Sequence, residues 1–483
     1  MINEDKDLQL EEIRRDVVGI DTVVPLLDGT ERRYVFLDNA ASTPTFGRVM
    51  KCIEDFMPWY SGVHRGTGLK SLVATEAFDE AHRIIAEFVG ADLSSNVVIM
   101  LKNTTEAINK LSHRLGLTKD DVVITAIMEH HSDLLPWRMH ANVVHIGATH
   151  EGALLIDDLR AALKKYAGNV KLVAVTGAAN VTGILNPIHD IARWAHEAGA
   201  RIFVDAAQLV AHRPVDVRPN DDPGHIDFLA FSAHKIYAPF GTGVLMGPRS
   251  VFEQGDPDIV GGGVVEFVTL DRVIWNKPPH KDEAGSPNVP GTIGLAKALL
   301  ILQEIGMDVI AEHERRLLEY GYSKLRKVPR VKLFGPVEDM SKKVGVMPFN
   351  VTGMRHQLVA AIFGAEGGIG LRDGCFCAHP YLQHLLACPS GEADRFMEQI
   401  MNEDRSQLPG MVRASVGCYN NEEDIDVFIE MLERIVRGEY KGNYVQDIVS
   451  GGYMPQGYRF DSAKFFSIRK EGIVEKGEYT AFG

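Results

Sequence analysis

Two short apolar runs, each stopping at polar chemistry, constrain this chain most. Arg201-Ile-Phe-Val204 ends at Asp205, with Gln208 close behind, and Asp227-Phe-Leu-Ala-Phe231 ends at Ser232, His234 and Lys235. Apolar runs of this length between helical patterns read as parallel strands covered on both faces. Ligands of open α/β sheets sit beyond the carboxyl ends of such strands. A carboxylate and an amine distant in sequence are therefore expected in one crevice.

Other strand ends add to it. Asn96–Leu101 runs into Asn103-Thr104-Thr105-Glu106 and a helix. Threonine hydroxyls and free N–H groups at a helix start suit an anion; an ordinary Thr-to-Glu cap is the plainer reading. Val122–Met128 ends at Glu129-His130-His131. An imidazole there can stack on a ring or relay a proton, or be merely structural. Val170–Val175 leads to Gly177-Ala-Ala-Asn180, whose amide either bonds a ligand or settles a turn.

An amine and an acid in one crevice suit pyridoxal phosphate, which needs a lysine for its aldehyde and an acid to keep its ring nitrogen protonated. Desolvation favours the proton-free amine that such a lysine requires. A solvated loop lysine is the alternative.

At these residues a resemblance is plain. Val204-Asp-Ala-Ala-Gln208 and Phe231-Ser-Ala-His-Lys235-Ile-Tyr237 resemble the class V aminotransferase family of pyridoxal phosphate enzymes, nearest to group II cysteine desulfurases and selenocysteine lyases, over residues 35–435. The resemblance implies fold type I: an α/β chain with a mostly parallel seven-stranded sheet and a smaller C-terminal α/β domain. The expected organisation is an N-terminal helical segment at 1–30, a large cofactor-binding domain at 31–294, a small domain at 295–438 and an extension at 439–483. Gly241–Met246 is expected as an antiparallel return strand.

The resemblance also assigns roles. Lys235, Cys377 and His130 are the implied catalytic residues, His130 stacking on the cofactor. Thr104, Thr105, His130, Asn180, Asp205, Gln208, Ser232, His234, Lys235 and Ser286 are the implied cofactor contacts. Ser286, where the family usually has threonine, is expected to reach the phosphate of a neighbouring subunit, which implies a homodimer. Asn180, Arg413 and Arg372 are the implied substrate contacts, with Arg413 clamping a carboxylate.

Subclass rests on Gly370-Leu-Arg372-Asp-Gly-Cys375-Phe-Cys377-Ala-His379. A thiolate that takes sulfur from a substrate cysteine needs an exposed or cationic setting. The family pattern places the nucleophile before the alanine, at Cys377, with Cys375 an extra. Asp373 and Cys375 depart from the commonest residues, and extra residues separate Cys377 from the next motif. Two rival readings are zinc held by Cys375, Cys377, His379 and Cys388, and inert core cysteines. No metal is expected.

Composition bounds the rest. The chain has 483 residues, 45% hydrophobic and 24% charged, with a net charge of −14. That charge argues against a nucleic-acid surface. No signal peptide and no membrane span are expected. Five cysteines do not form a disulfide framework, which points to the cytoplasm. The expected activity is desulfuration of L-cysteine to L-alanine through an enzyme persulfide, with sulfur passed to an acceptor protein or reduced. The alternatives are a class V enzyme that does not use Cys377 (selenocysteine lyase, C–S lyase, epimerase or aminotransferase) and a catalytically idle scaffold. The extension, with Tyr458-Arg-Phe and Lys464-Phe-Phe, is expected to dock on a partner subunit.

Overall fold

The computed structural model describes residues 4–389 and 391–469. The chain enters on helix α1 (Glu4–Asp16), whose Leu10 and Ile13 are buried. Arg14 ties this helix to Asp424 through bonds of 2.9 and 3.0 Å.

Seven strands then build one sheet: β1 (Asn96–Leu101), β2 (Val122–Ala126), β3 (Asn142–Ile146), β4 (Val170–Thr176), β5 (Arg201–Asp205), β6 (Phe228–Ser232) and β7 (Gly243–Pro248), in the order β1-β7-β6-β5-β4-β2-β3. All neighbours are parallel except β7, which runs antiparallel to both β1 and β6. The expected return strand is thus the second strand of the sheet.

Side chains alternate between two cores, as the period of a strand demands. Val97, Ile99, Phe203, Phe228 and Leu245 point to one face; Val98, Val204, Leu229, Phe231 and Met246 point to the other. The second face carries α2 (Leu69–Phe88), through Phe78 and Ile85. The first face carries α3 (Thr104–Arg114) and α4 (His131–His140), through Ile108, Leu111 and Trp137. Also on the second face are α5 (Ile188–Glu197) and the apolar α6 (Val289–Ile305). Burial on both sides explains why the strands read as continuous apolar runs.

Helix α7 (Met307–Leu325) leads to a second sheet of β8 (Val331–Leu333), β9 (Val346–Val351), β10 (Arg372–Gly374) and β11 (Met411–Ser415), ordered β8-β9-β11-β10 and antiparallel throughout. Helices α8 (His356–Gly367) and α9 (Glu422–Arg437) cover it, with Phe363 and Phe428 stacked at 5.3 Å. Val35 and Leu37 sit in this second core, and Val35–Phe36 pairs in parallel with Ile369–Gly370. The chain therefore enters the second core before it builds the large sheet.

Part of the extension packs on its own chain. Tyr444–Gln446 and Tyr453–Pro455 form a hairpin. The N–H groups of Lys441 and Gly442 donate to the Glu366 carboxylate on α8, and Gln446 Nε2 donates to Ser406 O. A buried carboxylate and unpaired backbone donors explain the attachment. Residues 470–483 lie outside the described residues. Among those described, no helix is long and apolar enough to cross a membrane.

One contact couples the sheet to the first turn of α3. A Cβ on Gly243 would lie 2.4 Å from Asn103 Cα and 2.6 Å from its carbonyl carbon. Backbone cannot swing aside as a side-chain end can. Gly243→Ala should cost about 1–3 kcal/mol, read as a lower midpoint in thermal denaturation, and an unchanged midpoint would show that the strand and helix are not in contact.

Candidate active site

A cavity of ≈ 360 Å³ opens where β4, β5 and β6 end. It gathers Thr104, Thr105, His130, Asn180, Asp205, Gln208, Ser232, His234, Lys235, Arg372, Cys377 and Arg413. Ser286 lies in a different cavity, beside Lys102, Glu106 and Asn288. Its loop is pinned by buried Glu283, which accepts the Met100 N–H at 2.7 Å and faces His82 Nε2 at 2.9 Å.

Asp205 is the last residue of β5 and is paired with Thr176 on β4 and Ala230 on β6. One carboxylate oxygen accepts the Ala207 N–H at 2.9 Å. Lys235 closes a 3-10 turn, Ala233–Lys235, that follows β6 directly. Burial pushes its amine down to about 8, against the opposing pull of Asp205. The same burial raises Asp205, which Lys235 and the Ala207 N–H oppose.

Two acids that the sequence reading passed over lie behind Asp205. Glu129 and Asp133 are fully buried, and burial followed by the neighbouring acids drives both well above the carboxylate range. Asp133 Oδ1 accepts the Trp137 indole N–H at 2.8 Å, while both Glu129 oxygens lack a hydrogen-bond partner among the described residues. Three acids so placed cannot all ionise. Asp205 alone has both a cation and a backbone donor, so the negative charge resides there and protons reside on the other two.

The start of α3 departs from the Thr-to-Glu cap reading. Asn103 is the cap, its side chain accepting the Glu106 N–H. Thr104 donates its N–H to Ser232 Oγ at 2.8 Å, and the two hydroxyls meet at 2.7 Å. His130 Nδ1 accepts the Ser132 N–H at 3.1 Å and faces Ser132 Oγ at 3.0 Å. An accepting Nδ1 leaves the ring proton on Nε2. Ser132 then donates to His130, and Thr105 donates to Ser132 across 2.7 Å. Thr105's hydroxyl proton is thereby committed, and of the first-turn N–H groups those of Thr104 and Glu106 are taken by Ser232 and Asn103. Burial, then the Lys235 charge, pushes His130 down to about 4, so the imidazole is neutral near pH 7. Burial and Lys235 likewise push His234 down to about 4.

The second sheet supplies the opposite wall. Arg413 on β11 is buried, donates to Asn180 O at 2.8 Å and lies 4.6 Å over the Phe376 ring. Burial pushes it down to about 10. Asp38 lies between the arginines, 3.4 Å from Arg413 and 2.8 Å from Arg372. Asp38 opens the turn-rich loop 38–44, which by its family resemblance is expected at the substrate pocket and whose Ala40 and Ala41 line the cavity. Asn180 donates its amide to Phe376 O at 2.6 Å, and Gln208 donates to Ala40 O.

Cys377 is exposed and lines the cavity, whereas Cys375 is half-buried against the core. Phe376 and Cys377 both take left-handed backbone angles, φ 53° and 55°. Two such residues in a row are costly without glycine. The turn is held by Cys377 O accepting the His131 N–H at 2.8 Å and by Ala378 N–H donating to Cys375 O. The extra residues that follow form helices His379–Leu385 and Glu392–Met401. The zinc reading is not supported: among the described residues, the only grouping of metal-type ligands lies elsewhere, at His196, His225 and Asp227.

The family model "Aminotransferase class-V" matches residues 35–428. A cysteine desulfurase of Haloferax volcanii is 34% identical over 409 residues, covering 83% of this chain and 88% of that protein. One from Dickeya dadantii is 36% identical over 413 residues, covering 83% and 92%. Among solved structures, the apo cysteine desulfurase of Thermococcus onnurineus NA1 superposes with a TM-score of 0.77 at 31% identity, covering 89% of this chain and 98% of that one. An S-sulfonic acid form of an Escherichia coli cysteine desulfurase gives 0.72 at 27% identity, covering 89% and 99%.

Lys235 and Lys343 should be the two lysines that titrate lowest in the apoprotein. Burial pushes Lys343, whose Nζ bonds the Tyr322 hydroxyl at 2.6 Å, down to about 7. NMR titration of 13C-methylated lysines should show midpoints near 7 and near 8, with the second absent in Lys235→Ala. Asp205 raises Lys235, so Asp205→Asn should move that midpoint lower still; an unmoved midpoint would mean the two groups do not share a field.

Proposed function

The chain belongs to the class-V aminotransferase family, and from that premise we propose that it is a pyridoxal phosphate-dependent cysteine desulfurase. It takes sulfur from L-cysteine onto Cys377 and releases L-alanine. The observation that carries this reading is a single cavity lined by an amine, an acid and an exposed thiol: Lys235, Asp205 and Cys377.

The residues fit the cofactor. Asp205 has one oxygen engaged by Ala207 and no protein donor to the other among the described residues. The Thr105 N–H at the start of α3 would face a phosphate, with Ser232 and His234 beside it. Lys235 would hold the aldehyde, and His130, Asn180 and Gln208 would flank the ring. When bound, pyridoxal phosphate supplies an electron sink for the α-carbon of an amino acid.

The chain's own residues do the rest. Arg413 and Arg372 orient the substrate carboxylate, and Asn180 supports Arg413 through its carbonyl. Lys235 Nζ, poised near 8, takes the α-proton at neutral pH. His130 presents a neutral Nε2–H donor. Cys377 Sγ attacks the substrate sulfur; the S–S bond forms as the substrate C–S bond breaks. The sum is L-cysteine plus the Cys377 thiol giving L-alanine plus the Cys377 persulfide, so no outside oxidant or reductant is needed. An exposed persulfide can then pass its outer sulfur to an acceptor protein or a thiol. All five cysteines are free, in keeping with a reducing cytoplasm.

Ser286 supports a homodimer with shared sites. It lies outside the Lys235 cavity of its own chain, on a loop flanked by exposed Ile259, Val260, Phe267 and Ile274. Sedimentation should give twice the 53.3 kDa chain mass, and a monomer at micromolar concentration would exclude the shared site.

Cys377→Ser should retain the cofactor's visible absorbance while losing at least about a hundredfold in alanine formation from cysteine. Undiminished turnover would point instead to a class V chemistry that does not use the thiol.

A further inference from the structure

At the end of the sheet opposite the Lys235 cavity, His196, His225 and Asp227 converge. We propose that these three side chains bind one divalent transition-metal cation of the zinc class. The site does not depend on the chemistry at Lys235.

The argument begins with tautomers. His196 Nδ1 is 2.8 Å from Pro223 O, and His225 Nδ1 is 2.7 Å from Asp222 O. A carbonyl oxygen only accepts, so both Nδ1 atoms carry protons. Each Nε2 is then the atom turned toward Asp227, where it carries either a proton or a metal ion. Both face one carboxylate: His196 Nε2 is 2.8 Å from Asp227 Oδ2 and His225 Nε2 is 3.5 Å from Oδ1. The two rings stack at 4.2 Å with 20° between their planes. Two lone pairs aimed at a carboxylate repel unless positive charge lies between them. A proton on His196 Nε2 would pair that ring alone with Asp227 Oδ2, and protonating both rings would stack two like charges against a single anion. One dication satisfies all three groups.

The surroundings are those of a metal site. Ligating histidines usually donate the other ring N–H to a carbonyl or carboxylate, which fixes the ring; both do so here. The three ligand atoms lie within 4.8 Å of one another, and the donors of a tetrahedral zinc ion are about 3.3 Å apart. Asp227 Oδ2 is further held by the Ile202 N–H at 2.9 Å, so the carboxylate is aimed before any ion arrives. Two imidazoles and a carboxylate are borderline ligands, suited to zinc over magnesium or calcium. Water completes the shell. The ligands come from the last turn of α5 and from the residues just before β6, and the ion would clip the helix to the strands that end at Asp205 and Lys235.

Sequence alone hides this site. His225-Ile-Asp227 has no metal-motif spacing, and His196 is brought in only by the fold.

The test uses tag-free holoprotein loaded with zinc chloride, dialysed against metal-free buffer and measured for metal by mass spectrometry. About one zinc per chain should remain in the wild type and in Cys377→Ser, and none in His225→Gln or His196→Gln. The wild-type melting midpoint should rise with zinc, and that of His225→Gln should not, while its cofactor absorbance is unchanged. Zinc K-edge absorption of the loaded wild type should show nitrogen and oxygen ligands only, which holds even if a variant fails to fold. No retained zinc in the wild type, equal retention in His225→Gln, or a sulfur ligand would overturn the proposal.

Discussion

Parallel pairing of Arg201–Asp205 with Phe228–Ser232 is the constraint from which the site follows. The register sets Asp205 beside Ala230, so the acid and the turn carrying Lys235 leave the sheet at one edge. Ile202–Val204 and Phe228–Phe231 are apolar and buried throughout, and a slip of one residue would turn every side chain to the other face. The antiparallel β7 then lies against β6 and β1 and brings Asn103 and the first turn of α3 to the same edge. The second sheet only has to close the cavity, which it does with Arg413 and the Phe376–Cys377 turn.

Charge is ordered across that cavity by burial and by hydrogen-bond supply. Lys235, Arg413 and Arg372 face it on the positive side; Asp205 and Asp38 answer them. Glu129 and Asp133, with no cation of their own, are the acids that go without charge. His130 and His234 are held neutral by the same desolvation. The outcome is a cavity with one readily deprotonated amine, two anions beside cations and a neutral imidazole whose proton points away from Ser132.

Much of this was legible in the sequence because strand ends carry it. Asp205, Gln208, Ser232, His234 and Lys235 follow apolar runs whose period and length mark buried strands. The rest depends on contacts between distant segments. Asn103 was hidden by the two threonines after it, since any small polar residue can cap. Asp38 reads as a turn residue until two arginines from another sheet flank it. Glu129 and Asp133 read as an ordinary acidic flank of a histidine run, because burial is invisible where polar and apolar residues mix. The extension's hairpin rests on Glu366, a residue of a mostly apolar helix, and nothing local announces that contact.

The position of Asp38 has a consequence for occupancy. Arg413 and Arg372 are never without an anion, since the chain provides one at 3.4 and 2.8 Å. A carboxylate that reached these arginines would exchange with a resident one of the same charge and chemistry. The gain is the difference between two similar ion pairs, not the worth of one. Such an exchange would hold a guest carboxylate less tightly than two unpaired guanidinium groups would.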